Sequence, residues 1–130
     1  MSLKSRIYRP KIIKKNTEAS VQSAIVQYLK AAYPNTLYCA TAGGMKTSYT
    51  QAARMKATGY VRGVPDLLIF EPRGSFHGLF IEVKKDEKQY PTKEQKEWVI
   101  ELNKRGYSAY ICKGFDHAKN VIDEYLAGNY

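Results

Sequence analysis

The chain has 130 residues, 44% of them hydrophobic and 25% charged, which is typical of one globular domain and too short for two. The 21 Lys and Arg residues exceed the 12 Asp and Glu residues, and the net charge of +9 favours a polyanionic partner, with phosphate backbones ahead of membranes. A basic protein without such a partner is the alternative that charge alone leaves open. No apolar run has the length of a membrane helix, and the N-terminus lacks the apolar stretch of a signal peptide.

The first 16 residues form a basic segment that contains no acidic residue. We expect an arm that is either solvated or laid along a nucleic acid or a partner subunit. Residues 17–130 are then predicted to form a single domain. The basic residues of the arm are Lys4, Arg6, Arg9, Lys11, Lys14 and Lys15.

A helix is predicted from a cap at Asn16 or Thr17 to about Tyr33, where Pro34 stops it. Glu18 lies on the same face as the apolar residues of this helix. A carboxylate in the first turn is also favoured by the helix dipole, so position alone leaves Glu18 either a helix stabiliser or a functional group. The inward apolar residues are Val21, Ala24, Ile25, Tyr28, Leu29 and Ala32.

A strand and a second helix are predicted before the middle of the chain. Residues 36–41 indicate the strand, and residues 42–44 contain two glycines that indicate a turn. Ser48 and Gln51 have the spacing of a capping box, and Gly59 suits the end of the helix that they begin.

Three charged residues lie in or beside two apolar strands, at residues 67–70 and 79–85. Asp66 opens the first strand, and Glu82 and Lys84 lie within the second. Because buried charges are costly unless they are paired or bound to a metal, this placement indicates a functional site.

The last part of the chain adds a helix, a strand and a helix. Thr92 and Gln95 form a second capping box, and that helix ends at Gly106. A strand at residues 107–112 and a helix at 116–126 follow. The element order predicts an α/β sandwich around a four-stranded mixed sheet, in which the helix after the third strand allows a parallel crossover to the fourth.

Cysteines and tyrosines both favour core positions. Cys39 and Cys112 lie far apart in apolar, strand-like contexts, so we expect core thiols rather than a disulfide or a zinc site, and a reducing compartment such as the cytoplasm. Most of the 11 tyrosines fall at core spacing, and we assign them to the core rather than to stacking on bases.

The three charged residues can share one site. Glu82 and Lys84 point to the same face of their strand, and pairing of the two strands would bring Asp66 level with residues 82–84, although a slip of one residue would turn it away. Converging carboxylates suit Mg²⁺ or Mn²⁺, and a neighbouring lysine can orient or deprotonate a water molecule. The alternative is a Glu82–Lys84 pair on a solvated strand face, with Asp66 in a turn.

These residues resemble a known nuclease motif. Pro65-Asp66 followed by Glu82-Val83-Lys84 is similar to the PD-(D/E)xK motif, and Val61-Arg62-Gly63-Val64-Pro65-Asp66-Leu67 resembles the signature of its VRR-NUC branch, with one arginine before the glycine instead of two. The resemblance extends from Glu18 to about Leu126. It implies a restriction-endonuclease-like fold and Mg²⁺-dependent cleavage of DNA, with Mn²⁺ able to substitute.

The resemblance also assigns roles. Asp66 and Glu82 would hold the metal with the backbone carbonyl of Val83, and Lys84 would act on the nucleophilic water. Glu18 matches the additional acidic residue of the family.

Gln95 resembles the glutamine that often follows the E-x-K motif in this superfamily. The alternative for Gln95 is that it serves only as the capping partner of Thr92.

Stand-alone members of this branch resemble homodimeric Holliday-junction resolvases, and we therefore expect a homodimer that cuts four-way DNA junctions in a bacterial or phage-infected cell. The lack of an appended domain favours junctions over flaps. Two alternatives stay open: a nuclease for flap, nicked or linear DNA or for RNA, and a non-catalytic nucleic-acid-binding module on the same scaffold. Candidate phosphate contacts are Lys46, Arg62, Lys85, Lys88 and Lys93.

Overall fold

The structure is a computed structural model that describes residues 15–42 and 47–128. Within these ranges the order of elements matches the sequence prediction, and the boundaries differ by one or two residues. The elements are α1 (Glu18–Ala32), β1 (Tyr38–Ala40), α2 (Tyr49–Ala57), β2 (Leu67–Ile69), β3 (Leu79–Lys84), α3 (Lys93–Lys104), β4 (Ser108–Lys113) and α4 (Phe115–Ala127).

The four strands form one mixed sheet in the order β1-β2-β3-β4. The pairs β1–β2 and β2–β3 are antiparallel, and β3–β4 is parallel because α3 carries the chain back across the sheet. The predicted α/β fold with a four-stranded mixed sheet is therefore confirmed.

The hydrophobic core lies between one face of the sheet and the helices α1 and α4. The predicted inward stripe of α1 is confirmed, since five of its six residues are buried and Ala32 is partly buried against the core. Helix α3 packs against β4. Helix α2 buries none of its own residues. No helix in the described ranges has the length and apolar character needed to span a membrane.

The three N-caps hold the helix starts where the sequence predicts them. The side-chain oxygens of Thr17, Ser48 and Thr92 each accept a hydrogen bond from the backbone N–H three residues later, at 3.0 to 3.2 Å. Most of the predicted basic arm, together with the glycines of the predicted turn and Lys46, lies outside the described residues.

The core assignment is right for Cys112 and wrong for Cys39. Cys112 is buried, whereas Cys39 is exposed. Cys39 lies on an edge strand between Tyr38 and Ala40, and alternation turns its side chain away from the face that packs on α1 and α4. Cys39 and Cys112 are both free thiols, as predicted.

Native protein is expected to present one reactive thiol. Burial raises the pKa of Cys112 to about 12, so this thiol stays protonated and unreactive at pH 8, whereas exposed Cys39 reacts. Titration with a chromogenic disulfide reagent should give one equivalent in buffer and two in guanidinium chloride. Cys39→Ser should abolish the native signal, and two equivalents in buffer would contradict the burial of Cys112.

The tyrosine assignment is also only partly right. Tyr28 and Tyr125 are in the core, but Tyr49, Tyr90 and Tyr110 are exposed. Tyr49 begins helix α2, which buries none of its own residues, and Tyr110 lies within β4 beside the buried residue Ala109. Exposure of a large aromatic ring needs no special explanation by itself, but its position can give it a function.

A buried carboxylate that the sequence did not reveal stabilises the packing of α4 on α1. Asp123 accepts hydrogen bonds from the hydroxyls of Tyr28 and Tyr33, the latter at 2.7 Å, and from Lys119 Nζ at 3.0 Å. Burial and the hydrogen bond to Asp123 raise the pKa of Tyr33 above its usual range. Asp123 is thus fully partnered, and its role is structural.

Candidate metal centre

Asp66 and Glu82 converge because of the register between β2 and β3. Leu67 pairs with Ile81, so one step further along the antiparallel ladder Asp66 lies level with Glu82. Asp66 Oδ2 also accepts a hydrogen bond from the backbone N–H of Val83 at 2.8 Å. The predicted convergence of the two carboxylates is therefore confirmed.

The backbone before β2 is fixed by Thr41, the residue that follows β1. The hydroxyl of Thr41 donates a hydrogen bond to the carbonyl oxygen of Pro65 at 2.8 Å. Its backbone N–H donates to the carbonyl oxygen of Asp66 at 2.9 Å. Pro65 is buried, and it restricts the residue before it to an extended conformation. These contacts aim the Asp66 side chain across to β3.

A third carboxylate comes from the first turn of α1. Glu18 follows the N-cap Thr17, and its side chain is 43% exposed. One carboxylate oxygen from each of Glu18, Asp66 and Glu82 lies within 4.8 Å of the other two. Glu18 is therefore part of this acidic cluster and not only a helix-end stabiliser.

Lys84 is the cation beside the cluster. Its side chain is only 4% exposed, and its Nζ lies 3.3 Å from Glu18 Oε1 and 3.6 Å from Glu82 Oε2. One ammonium group cannot neutralise three carboxylates, so the cluster retains an excess of negative charge.

The excess of negative charge affects the pKa of Glu82. Burial, the hydrogen bond with Asp66 and the charge of Asp66 raise the pKa of Glu82 to about 9, against the opposing effect of Lys84. In the absence of a further cation, Glu82 therefore holds a proton at neutral pH.

The donor set fits a divalent cation. Three carboxylates from separate elements supply hard oxygen ligands, and a doubly charged ion would replace the proton on Glu82 and balance the remaining charge. Oxygen-only ligation suits Mg²⁺ or Mn²⁺ rather than zinc, which prefers nitrogen and sulfur.

Gln95 makes one hydrogen bond to the helix cap and another to the acidic cluster. Its Oε1 accepts the backbone N–H of Thr92 at 2.8 Å, which completes the capping box, and its Nε2 donates to Glu82 Oε2 at 3.2 Å. The capping bond fixes the amide so that its NH₂ group faces the cluster.

Gln89 is a member of the site that the sequence did not identify. Its Nε2 donates to Glu18 Oε2 at 2.8 Å, and its Oε1 accepts the backbone N–H of Lys85 at 2.8 Å. Glu18 and Gln89 are 71 positions apart, and no local pattern indicates that pairing.

The loop before Asp66 is docked on the start of α3. Gly63 has a φ of +99°, and a Cβ there would lie 2.7 Å from the backbone carbon of Glu94. The indole N–H of Trp98 donates to the carbonyl oxygen of Arg62 at 3.2 Å. Glycine is thus needed at position 63 for both conformation and space, and the loop carries Arg62 to the site.

The predicted phosphate contacts differ in position. Arg62 lines a cavity of about 350 Å³ that contains the acidic cluster and Lys84. Lys85, Lys88 and Lys93 are exposed but do not line that cavity, and Lys93 lies 3.8 Å from Glu97.

Comparisons with known proteins agree with this fold and site. The VRR-NUC domain family matches residues 5–116 of the chain. A solved structure described as a VRR_NUC domain protein has a TM-score of 0.71 and 34% sequence identity, covering 88% of this chain and 92% of its own. Another, described as a VRR_NUC domain, has a TM-score of 0.56 and 28% identity over 84% of this chain and 97% of its own. A search among curated proteins found no match.

The sheet, with carboxylates and a lysine gathered at the end of two antiparallel strands, is that of a PD-(D/E)xK-type nuclease domain. Within that class the chain belongs to the VRR-NUC family, which matches most of its length. Family membership implies a nuclease, with nucleic acid as its partner.

Proposed function

We propose that this protein is a Mg²⁺-dependent, structure-selective DNA endonuclease that cuts four-way junctions as a homodimer in the cytoplasm. The observation that carries the proposal is the convergence of Glu18, Asp66 and Glu82 on one point beside Lys84. A cluster of this composition in a nuclease family has the parts required for hydrolysis of a phosphodiester.

Asp66 and Glu82 would hold the cation, together with the backbone carbonyl of Val83. Glu18 supplies a third carboxylate within the same 4.8 Å group. When bound, Mg²⁺ would polarise the scissile phosphate and lower the pKa of a water molecule. Gln95 keeps Glu82 in position through its 3.2 Å hydrogen bond, and Gln89 does the same for Glu18 at 2.8 Å.

Lys84 would act on the nucleophile. Its Nζ is held between Glu18 and Glu82, so the ammonium group points into the cluster instead of into solvent. There it can orient the attacking water and compensate the negative charge that builds on the phosphate.

A homodimer suits a symmetric substrate. A twofold axis would place two equal sites at a fixed separation, which matches two symmetric incisions in a four-way junction. The net charge of +9 supports binding to the phosphate backbone without reading its sequence. Arg62 at the cavity wall, with exposed Lys85, Lys88 and Lys93 beyond it, would contribute.

The test is a cleavage assay on labelled four-way junction, flap, nicked and linear DNA and on RNA, with Mg²⁺, Mn²⁺ or EDTA. We expect cutting of the junction at least ten times faster than of linear duplex, and none in EDTA. If flaps, nicked DNA or RNA are cut faster than the junction, that nucleic acid would be the preferred substrate and the junction would not. Absence of cutting from every substrate would favour a binding module, and a species of 14.8 kDa by light scattering at micromolar concentration would contradict the dimer.

A further inference from the structure

Tyr90 is an exposed aromatic residue at the wall of the cavity that contains the acidic cluster. Tyr90 is 75% exposed, and it lines the same cavity as Asp66, Glu82 and Lys84. A core role is excluded by this exposure. The ring is therefore open to a ligand that enters this cavity.

The backbone on both sides of Tyr90 is anchored. Gln89, the residue before it, is fixed by its hydrogen bonds to Glu18 and to the backbone of Lys85. Pro91, the residue after it, has a restricted φ and leads directly into Thr92, the N-cap of α3. An exposed ring between two fixed residues loses little conformational freedom on binding a ligand.

The ring itself is oriented by a cation. Lys113 Nζ, at the end of β4, lies 4.7 Å from the centroid of the Tyr90 ring. This cation–π contact covers one face and holds the ring in place. Because three-quarters of the Tyr90 surface is exposed, the rest of the ring is accessible to a flat partner.

We propose that Tyr90 stacks on an unpaired DNA base next to the scissile phosphate and thereby selects DNA that is not fully paired at the cut site. The proposal rests on the proposed nuclease function. A base can stack on a side chain only after it leaves its own helix stack, so a fixed aromatic ring favours strands with free bases over continuous duplex. Branch points supply such bases at little cost, and Lys113 adds a positive charge beside their phosphates.

Tyr90→Ala is expected to remove this selectivity. We compare kcat/KM for two four-way junctions that are identical except for two unpaired nucleotides at the branch point. Wild-type protein should prefer the junction with unpaired bases. The alanine variant should lose about 5- to 100-fold on that substrate, and less than twofold on the fully paired one.

Two matched variants separate stacking from other effects. Tyr90→Phe keeps the ring and should retain wild-type selectivity. Tyr110→Ala removes another exposed tyrosine that does not line the cavity, and it should behave as wild type. Equal losses on both junctions, or a Phe variant as defective as the Ala variant, would overturn the proposal.

A binding measurement keeps this proposal separate from the nuclease function. A single-stranded oligonucleotide carrying 2-aminopurine loses fluorescence when its base stacks on an aromatic ring, whether or not cleavage follows. We expect quenching by wild-type protein and Tyr90→Phe, and little by Tyr90→Ala. If no DNA is cut but quenching depends on Tyr90, the nuclease proposal fails and base stacking stands. Equal quenching by the wild-type protein and Tyr90→Ala would refute the stacking.

Discussion

Lys84→Met should reduce DNA cleavage by about 100-fold or more, while DNA binding changes by less than threefold, because a group that acts on the nucleophile contributes on the order of 10²–10⁴ to the rate. Methionine fills the channel that the aliphatic part of Lys84 occupies but has no ammonium group to contact Glu18 and Glu82. Single-turnover cleavage of the junction in Mg²⁺, with fluorescence anisotropy for binding, measures both quantities.

The fold should survive this substitution. Glu82 already holds a proton at neutral pH, and loss of the Lys84 charge raises its pKa further, so no unpaired charge is buried. Lys104→Met is the matched control, since it removes the same charge from a side chain that is 67% exposed. Cleavage by Lys84→Met within threefold of wild type, with the same thermal midpoint, would rule out a role of Lys84 in the chemistry.

The sequence predicted the site well where a side chain is fixed by local pattern. The Pro-Asp entry to β2 and the alternation of β3 placed Asp66, Glu82 and Lys84 on their elements without any knowledge of tertiary structure. What the pattern could not decide was whether Asp66 faces Glu82, since a slip of one residue reverses the face. That register depends on the turn between the strands, where Arg73 and Phe76 form an isolated bridge.

Contacts between elements that are distant in the chain could not be predicted from the sequence. Gln89 meets Glu18 only because the segment after β3 passes the first turn of α1, and Asp123 is buried only because α4 packs on Tyr28. The exposure of Cys39 and Tyr90 has the same origin. An apolar residue in a short strand or a loop is buried only if another element covers it, and coverage is set by packing and not by local pattern.

Glu82→Gln should greatly reduce cleavage and the stabilisation by a divalent cation while leaving the fold intact. The glutamine keeps the shape of the side chain but removes a charge that a divalent cation needs, so we expect cleavage to fall by more than about 100-fold. Thermal melting of wild-type protein should rise by roughly 10 °C with Mn²⁺ at 100 times its Kd, and that shift should largely vanish in the variant.

Without a metal, the ionisation of Glu82 should make the protein less stable as pH rises, and the direction of this effect follows from the raised pKa of Glu82. The pKa of about 9 in the folded protein exceeds the ordinary value of 4.5 for a glutamate, so the folded state binds more protons than the unfolded state between those pH values. The contribution of Glu82 to stability is therefore full below about pH 4.5 and is lost as pH rises towards 9, by at most about 1.4 kcal/mol per pH unit. Glu82→Gln cannot ionise and should lose this dependence.

Urea unfolding in EDTA at pH 6 and pH 8.5 measures the effect. Wild-type protein should be less stable at the higher pH, and Glu82→Gln should be nearly equal at the two and more stable than wild type at pH 8.5. Glu101→Gln changes an exposed carboxylate on α3 that pairs with Lys104 and Arg105, and it should keep the wild-type difference. A wild-type protein that gains stability from pH 6 to 8.5 would contradict the raised pKa and would mean that Glu82 is already ionised at pH 6 without a metal.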